Sequence, residues 1–470
     1  MAIEHDEQLW GGETAKAIEN FQVSGMPVRL EVVHWLARIK AAAARVNADL
    51  GKLDPDIAQR IAEAADRVAA GEFDDQFPID AFQTGSGTST NMNANEVIAS
   101  LAGDEAHPND HVNMGQSSND AFPSAVHLAA LDEATNDLLP ALEQLEGALA
   151  AKAREFVDIV KAGRTHLMDA VPVTLGQEFS GYAAQVRLGA ERVRSALPRV
   201  AQIPLGGTAT GTGLNTHPEF AERVRTLLAE HANFEIRAPE DPFEAQGNRD
   251  ALVELSGALK VVAVSLTKIA NDLALMGSGP RAGFGEVYLP ELQKGSSIMP
   301  GKVNPVIPEV VLQVAAQVIG NDAAVTIGGM QGQFELNVRV PLMARNVLQS
   351  IHLLSTASTA LAEKCVDGIE VNKEGTDRSA AATLAVATAL NEHIGYDKAT
   401  TIVQKAAKTG RMLRDVAIEE GVDEELYDRV IDLRRIAAGS QADAQDGKPA
   451  RAKRSSNGGT RRRSAQRASA

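Results

Sequence analysis

Along most of this chain, apolar residues return at intervals of three and four, the period of helices with one buried face. In "GKLDPDIAQRIAEAADRVAAGEF" (51–73) they form one stripe, Asp54 or Asp56 stands where a cap belongs, and Gly71 stops the run. In "NRDALVELSGALKVVAVSLTKIANDLALMGSG" (248–279) Leu252, Leu255, Leu259, Val262, Val264, Leu266, Ile269 and Leu273 cover much more than a stripe. Such a helix is buried on most sides, within a bundle or between subunits. "QSIHLLSTASTALAEKCVDGI" and "SNDAFPSAVHLAALDEATNDLLPALEQLEGALAAKAREF" read the same way, with Pro140 predicted to kink the second. The pattern predicts a mainly α protein. Its predicted parts are a mixed helix and loop region over 1–115, a long-helix region over 116–372, a small helical region over 373–440, and a disordered basic tail over 441–470.

The polar exceptions fall into four segments. "QTGSGTSTNMNANEVIAS" (83–100) sets Thr84, Ser86, Thr88, Asn91 and Asn93 around Gly85 and Gly87, just before a helix. "HPNDHVNMGQSSNDAFPS" (107–124) brings Ser117, Ser118 and Asn119 to the mouth of the next helix. "KAGRTHLMDAVPVTLGQEFSGY" (161–182) carries Thr165 and His166 in a break ahead of another. "GSSIMPGKVNPVIPE" (295–309) has two glycines, three prolines, Ser296, Ser297 and Lys302, and ends on Glu309 at a helix start. Hydroxyls and amides at helix N-termini, with glycines letting backbone N–H groups approach, suit a small anion. One such loop is ordinary capping. Four in one chain, one with a His and one with a Lys, suit a ligand with two carboxylates.

Composition narrows the partners. The chain has 470 residues, 44% of them apolar and 23% charged, as in a globular protein with a large core. No uninterrupted apolar run reaches membrane-spanning length, so no membrane partner is predicted. "MAIEHDEQLW" lacks the basic and apolar regions of a secretion signal. Cys365 stands alone, which points to a reducing cytoplasm. Net charge is −16, but from Asp446 onward eight Lys and Arg oppose one Asp, a net +7 that leaves −23 on the body. An acidic body argues against nucleic acid as the main partner. The tail could bind RNA, DNA or an acidic surface; its plain reading is a solvated appendage. The histidines lack the spacing of metal ligands, and no phosphate-cradling glycine fingerprint is present, so neither metal nor cofactor is implied.

"GSSIMPGKVNP" resembles the signature loop of the aspartase/fumarase superfamily, and "QTGSGT", "HPND", "QSSND" and "GRTHLMDAVPVTLGQE" are similar to companion segments of the class II fumarases. The resemblance spans roughly residues 14 to 440 and implies a three-domain fold. The central domain would be five helices that assemble a twenty-helix core in a homotetramer. It implies reversible hydration of fumarate to L-malate at sites built from three subunits, without a cofactor. It makes Ser296 the base and His166 the activator of water, with Glu309 paired to that ring. Ser86, Gly87, Thr88, Ser117, Ser118, Asn119, Thr165, Ser297, Lys302, Val303 and Asn304 would form the substrate pocket. His107, Pro108, Asn109 and Asp110 would form a secondary anion site, although an Asx-type turn after Pro108 explains the same residues.

Two departures stand out. Asp6 runs almost directly into "EQLWGGETAKAIENF", where family members carry a longer stretch, and the basic tail is an addition. Aspartate ammonia-lyase shares the fold and the signature loop, and "VIPEVVLQV" leans that way. "QTGSGT" and "QSSND" lean back, since ammonia-lyases tend towards Ala at the position of Ser86 and Thr at that of Ser118. A helical scaffold with a nucleic-acid-binding tail is a third reading, from a different class.

Overall fold

The computed structural model describes residues 8–439; the basic tail and the segment around Asp6 lie outside them. Helices dominate, joined by three two-stranded antiparallel sheets among the described residues. Two compact units emerge: residues 8–156 with 176–372, and Val157–Leu175 with 373–439.

The first unit holds the long helices. Asp250–Met276, Val306–Gly329 and Val340–Lys364 pack side by side, and Leu139–Glu155 lies against the last of them. Their contact is apolar, through residues such as Leu259, Leu266, Val318, Val325, Leu348 and Leu354, all at most 1% exposed. Polar ties fix the register. Asn321 donates to Gln349 and Ser350 at 3.1 and 3.0 Å, while Asp322 accepts from Ser256 and Lys260 at 2.9 and 2.5 Å. By length and composition Val306–Gly329 would suffice to cross a membrane. Its mid-helix amide and carboxylate instead bond to the helices on either side, as bundle helices do. The apolar surface is not all consumed within one chain: Val264, Ile319, Ile327 and Met330 remain 42–73% exposed.

A second group of helices in this unit carries the polar loops. Leu30–Asp49 packs against Pro55–Ala69, Ser118–Glu133 and Phe220–His231. Asp54, not Asp56, caps Pro55–Ala69, accepting from the N–H groups of Asp56 and Ile57. Where a kink is predicted at Pro140, the structure has a change of helical register just ahead of it. The helical register slips in a π turn at Ala134–Leu138, and Pro140 then occupies the first turn of Leu139–Glu155. There the π turn absorbs the hydrogen bond that proline cannot donate.

The second unit is smaller. Val386, Leu390, Ile402, Val416 and Val422 form its core. The segment predicted as a break before a helix is a β-hairpin, Val160–Thr165 against Met168–Thr174, and Thr383 Oγ1 donates to its Ala170 carbonyl at 2.9 Å.

Candidate active site

Two helix N-termini meet in the first unit. Gly87 precedes Thr88–Ala102 with φ +77°, a conformation glycine adopts without strain, and it lies so close to Phe122 that a Cβ there would overlap the ring. This close approach seats Thr88 beside Ser118, the first residue of Ser118–Glu133. Their hydroxyls are 2.7 Å apart, and Ser86 Oγ lies 2.7 Å from Thr88 Oγ1 on the other side. The backbone N–H groups of Thr88 and Ser118 have no partner among the described residues. Hydroxyls and open N–H groups on two helix termini form a pocket chemically suited to an anion. Ser86, Gly87, Thr88, Ser117, Ser118 and Asn119 are thus brought together.

The pocket is braced from below. Ser117 and Asp120 form a reciprocal capping box at the start of Ser118–Glu133. The Asp120 carboxylate, fully buried, accepts from the N–H groups of Ser117, Gly206 and Thr208 at 2.8 to 3.0 Å. Asn119 Nδ2 donates to the Ala209 carbonyl at 3.0 Å. Gln246, also buried, donates to the Thr208 carbonyl at 2.7 Å. Lys40, with no exposed surface, donates to Asn91 at 2.9 Å and to Gln116 and Asn113 at 3.3 and 3.4 Å. Burial pulls its ammonium down to about 7, opposed by the Asp120 charge. Burial pushes Asp120 up to about 6, opposed by its backbone donors.

The 295–309 segment is organised differently. The Gly295 N–H donates to the Lys302 carbonyl at 3.0 Å and Asn304 Nδ2 donates to the Gly295 carbonyl at 2.7 Å, so the loop closes on itself. A Cβ at Gly295 would collide with the Lys302 carbonyl oxygen. Ser296 Oγ accepts from the N–H groups of Ile298 and Met299 at 3.2 and 3.1 Å. Two backbone donors from within the loop already converge on that oxygen. Ser297, Lys302 and Val303 are exposed, and the Lys302 ammonium forms no ion pair among the described residues. Glu309 is exposed in the first turn of Val306–Gly329. No hydrogen bond within the chain joins this loop to the Thr88–Ser118 pocket among the described residues.

Thr165 and His166 belong to the other compact unit. His166 and Leu167 form the two-residue tip of the hairpin, with φ of +56° and +59°. Such turns are usually made by Asn and Gly, and non-glycine residues held there are strained. His166 is exposed at that tip. The "HPND" residues take a π turn, Pro108–Val112, rather than an Asx-type turn. His107 Nδ1 accepts from the Asp110 N–H at 3.1 Å, and both side chains are more than half exposed.

Sequence reasoning missed the bracing residues. Lys40 sits in "ARIKAAAARVN", where it reads as a helix-surface charge. Thr208 lies within "GGTATGTGLN" (206–215), a fifth run rich in Gly and Thr like the four that were singled out, and Gln246 reaches it from further along the chain. Thr208 takes φ +55°, and Thr208 Oγ1 and Gln246 Oε1 are buried without a partner.

Comparison with known proteins gives a consistent family. A family described as Lyase matches residues 3–320, and one described as Fumarase C C-terminus matches 386–438. Fumarate hydratase class II of Mycobacterium tuberculosis is 52% identical, over 94% of this chain and 97% of that protein. The mitochondrial fumarate hydratase of Danio rerio is 50% identical, over 88% and 84% of the two chains. The crystal structure of class II fumarase from Schistosoma mansoni superposes with a TM-score of 0.88 at 38% identity, covering 92% of this chain and 96% of that one. The twin helix termini, the closed serine loop and these likenesses lead to one conclusion: the chain belongs to the class II fumarate hydratase family.

Proposed function

We propose that this protein interconverts fumarate and L-malate by adding or removing water across the fumarate double bond. The observation that carries the reading is the pairing of an anion pocket, Thr88 with Ser118, with a serine whose oxygen already receives two backbone N–H groups. Removing a carbon-bound proton beside a carboxylate drives charge into that carboxylate, so a site for this chemistry needs many donors and a cation. Ser296 is assigned as the base that takes the C3 proton of malate. A serine hydroxyl is weakly acidic, and the Ile298 and Met299 N–H groups supply what an alkoxide requires. His166, oriented by Glu309, protonates the departing hydroxyl, which leaves as water; in hydration it activates the incoming water. Thr88, Ser117, Ser118, Asn119, Thr165, Ser297, Lys302 and Asn304 share the two carboxylates and the hydroxyl. Ser86, Gly87 and Val303 shape the pocket, and His107, Pro108, Asn109 and Asp110 form an outer anion site.

The working form in this reading is a homotetramer in the cytoplasm, with each site completed by neighbouring copies. Two features support assembly. The long helices keep apolar side chains exposed in the single chain, and among the described residues the Ser296 loop makes no hydrogen bond to the Thr88–Ser118 pocket of its own chain. The test is direct. Purified protein given L-malate should accumulate fumarate, read by the ultraviolet absorbance of its double bond. Release of ammonia from L-aspartate with malate inert would assign the chain to the ammonia-lyases instead. Inertness toward both, with nucleic acid retained through the tail, would favour the scaffold reading.

A further inference from the structure

Lys40 is the anomaly of the pocket. A buried ammonium is costly unless paired, and here its three hydrogen-bond partners are neutral side-chain oxygens. Those partners are not scattered. Asn91 lies one turn beyond Thr88 on the same helix, and Gln116 immediately precedes Ser117. Asn91 also donates to Asn113 at 3.2 Å, which closes the arrangement into a network. One ammonium therefore joins the two segments whose hydroxyls meet at the pocket. The charged group that faces it is Asp120, whose carboxylate is directed to the backbone of 206–208 and Ser117.

We propose that Lys40 is a positioning residue for the substrate: it ties the Thr88 helix to the Gln116–Ser118 turn and places a buried positive charge behind the pocket that takes one carboxylate. This rests on the dicarboxylate reading above. A cation behind the pocket favours the dianion whenever it is protonated, so affinity falls as pH rises and the proton is lost. Burial sets that loss near neutrality rather than far above it.

The experiment compares wild type, Lys40→Met and Lys40→Arg as full-length oligomers, with KM and kcat for L-malate measured from pH 6.5 to 9. In wild type KM should rise above pH 7. In Lys40→Met it should be raised about tenfold or more at pH 7 and lie flat with pH, with kcat changed less than about threefold. In Lys40→Arg, whose guanidinium keeps its proton throughout, KM should stay low and equally flat. The arginine variant also decides the matter if the methionine variant fails to fold. A folded Lys40→Met with wild-type KM, or a Lys40→Arg that keeps the wild-type rise, overturns the inference while leaving the malate reading intact. A wild type inert toward malate overturns both.

Discussion

The Ser296 loop and the Thr88–Ser118 pocket are rich in the same residue types yet are held in opposite ways. The loop satisfies itself: Gly295, Lys302 and Asn304 close its neck, Ser296 takes its own backbone donors, and Ile298 is 84% exposed. The pocket is braced by buried groups from distant parts of the sequence, Lys40, Asp120, Thr208 and Gln246 among them. A segment that closes on itself can move as a lid without disturbing the core. A pocket tied into the core keeps its geometry and binds without reorganisation. The chemistry should therefore fail through the loop and the stability through the pocket.

The largest effect tests that division at the loop. Ser296→Ala should lower kcat by about 10²- to 10⁴-fold, the range of a lost general base, with thermal midpoint and KM near wild type. Ser118→Ala should do the reverse, raising KM about tenfold with kcat little changed. Equal losses of kcat in both variants would erase the distinction between base and binder.

Next comes the cost of the buried charge. The Lys40 ammonium is held far below its ordinary value, so unfolded chains bind this proton more readily than folded ones between about 7 and about 10. Its contribution to stability is complete above the unfolded value and is lost as pH falls toward about 7. Wild type should thus gain about 4 kcal/mol relative to Lys40→Met between pH 7 and pH 10, seen as converging or crossing denaturation midpoints. Parallel midpoints would mean the site is wetter than its burial implies.

Gly87→Ala probes the pocket's closest packing. It forces a side chain into the left-handed region and against the buried Phe122 ring, and should destabilise by about 3 kcal/mol. Malate affinity should fall with it, because Thr88 can no longer sit beside Ser118. A variant of wild-type stability would show that the two helix termini adjust freely.

How much of this was legible in the sequence follows the same division. The Ser296 loop announces itself, because Gly295, Pro300, Gly301 and Pro305 cannot continue a helix. Helix boundaries such as Asp54 and Gly71 follow from local capping and turn chemistry. The pocket's two ends were visible as helix starts, but its braces were not. A lysine among alanines carries no mark of burial, and Asp120 reads as an ordinary capping-box residue until Gly206 and Thr208 arrive from far along the chain. The hairpin escaped for a local reason: His166 and Leu167 turn the chain with no Gly or Asn to signal it. The slipped register before Pro140 escaped because a π turn has no composition of its own.

The smallest effect is the sharpest for the loop. If Asn304 closes its neck, Asn304→Ala removes one hydrogen bond from its side chain to the Gly295 carbonyl, worth about 1 kcal/mol at a half-buried position. The remaining Gly295 N–H bond to Lys302 then holds the neck alone. Opening should become about fivefold more frequent, and trypsin, which cleaves after exposed lysine, reports it as faster cutting at Lys302. The thermal midpoint should not move, because the bond removed lies within the loop and the Asn304 carbonyl keeps its bond to Val306 at the start of the core helix. A shifted midpoint would mean that the loop is braced from below as the pocket is, and the two regions would no longer differ in kind. Faster cutting at an unchanged midpoint would give the lid its own stability, separate from that of the fold.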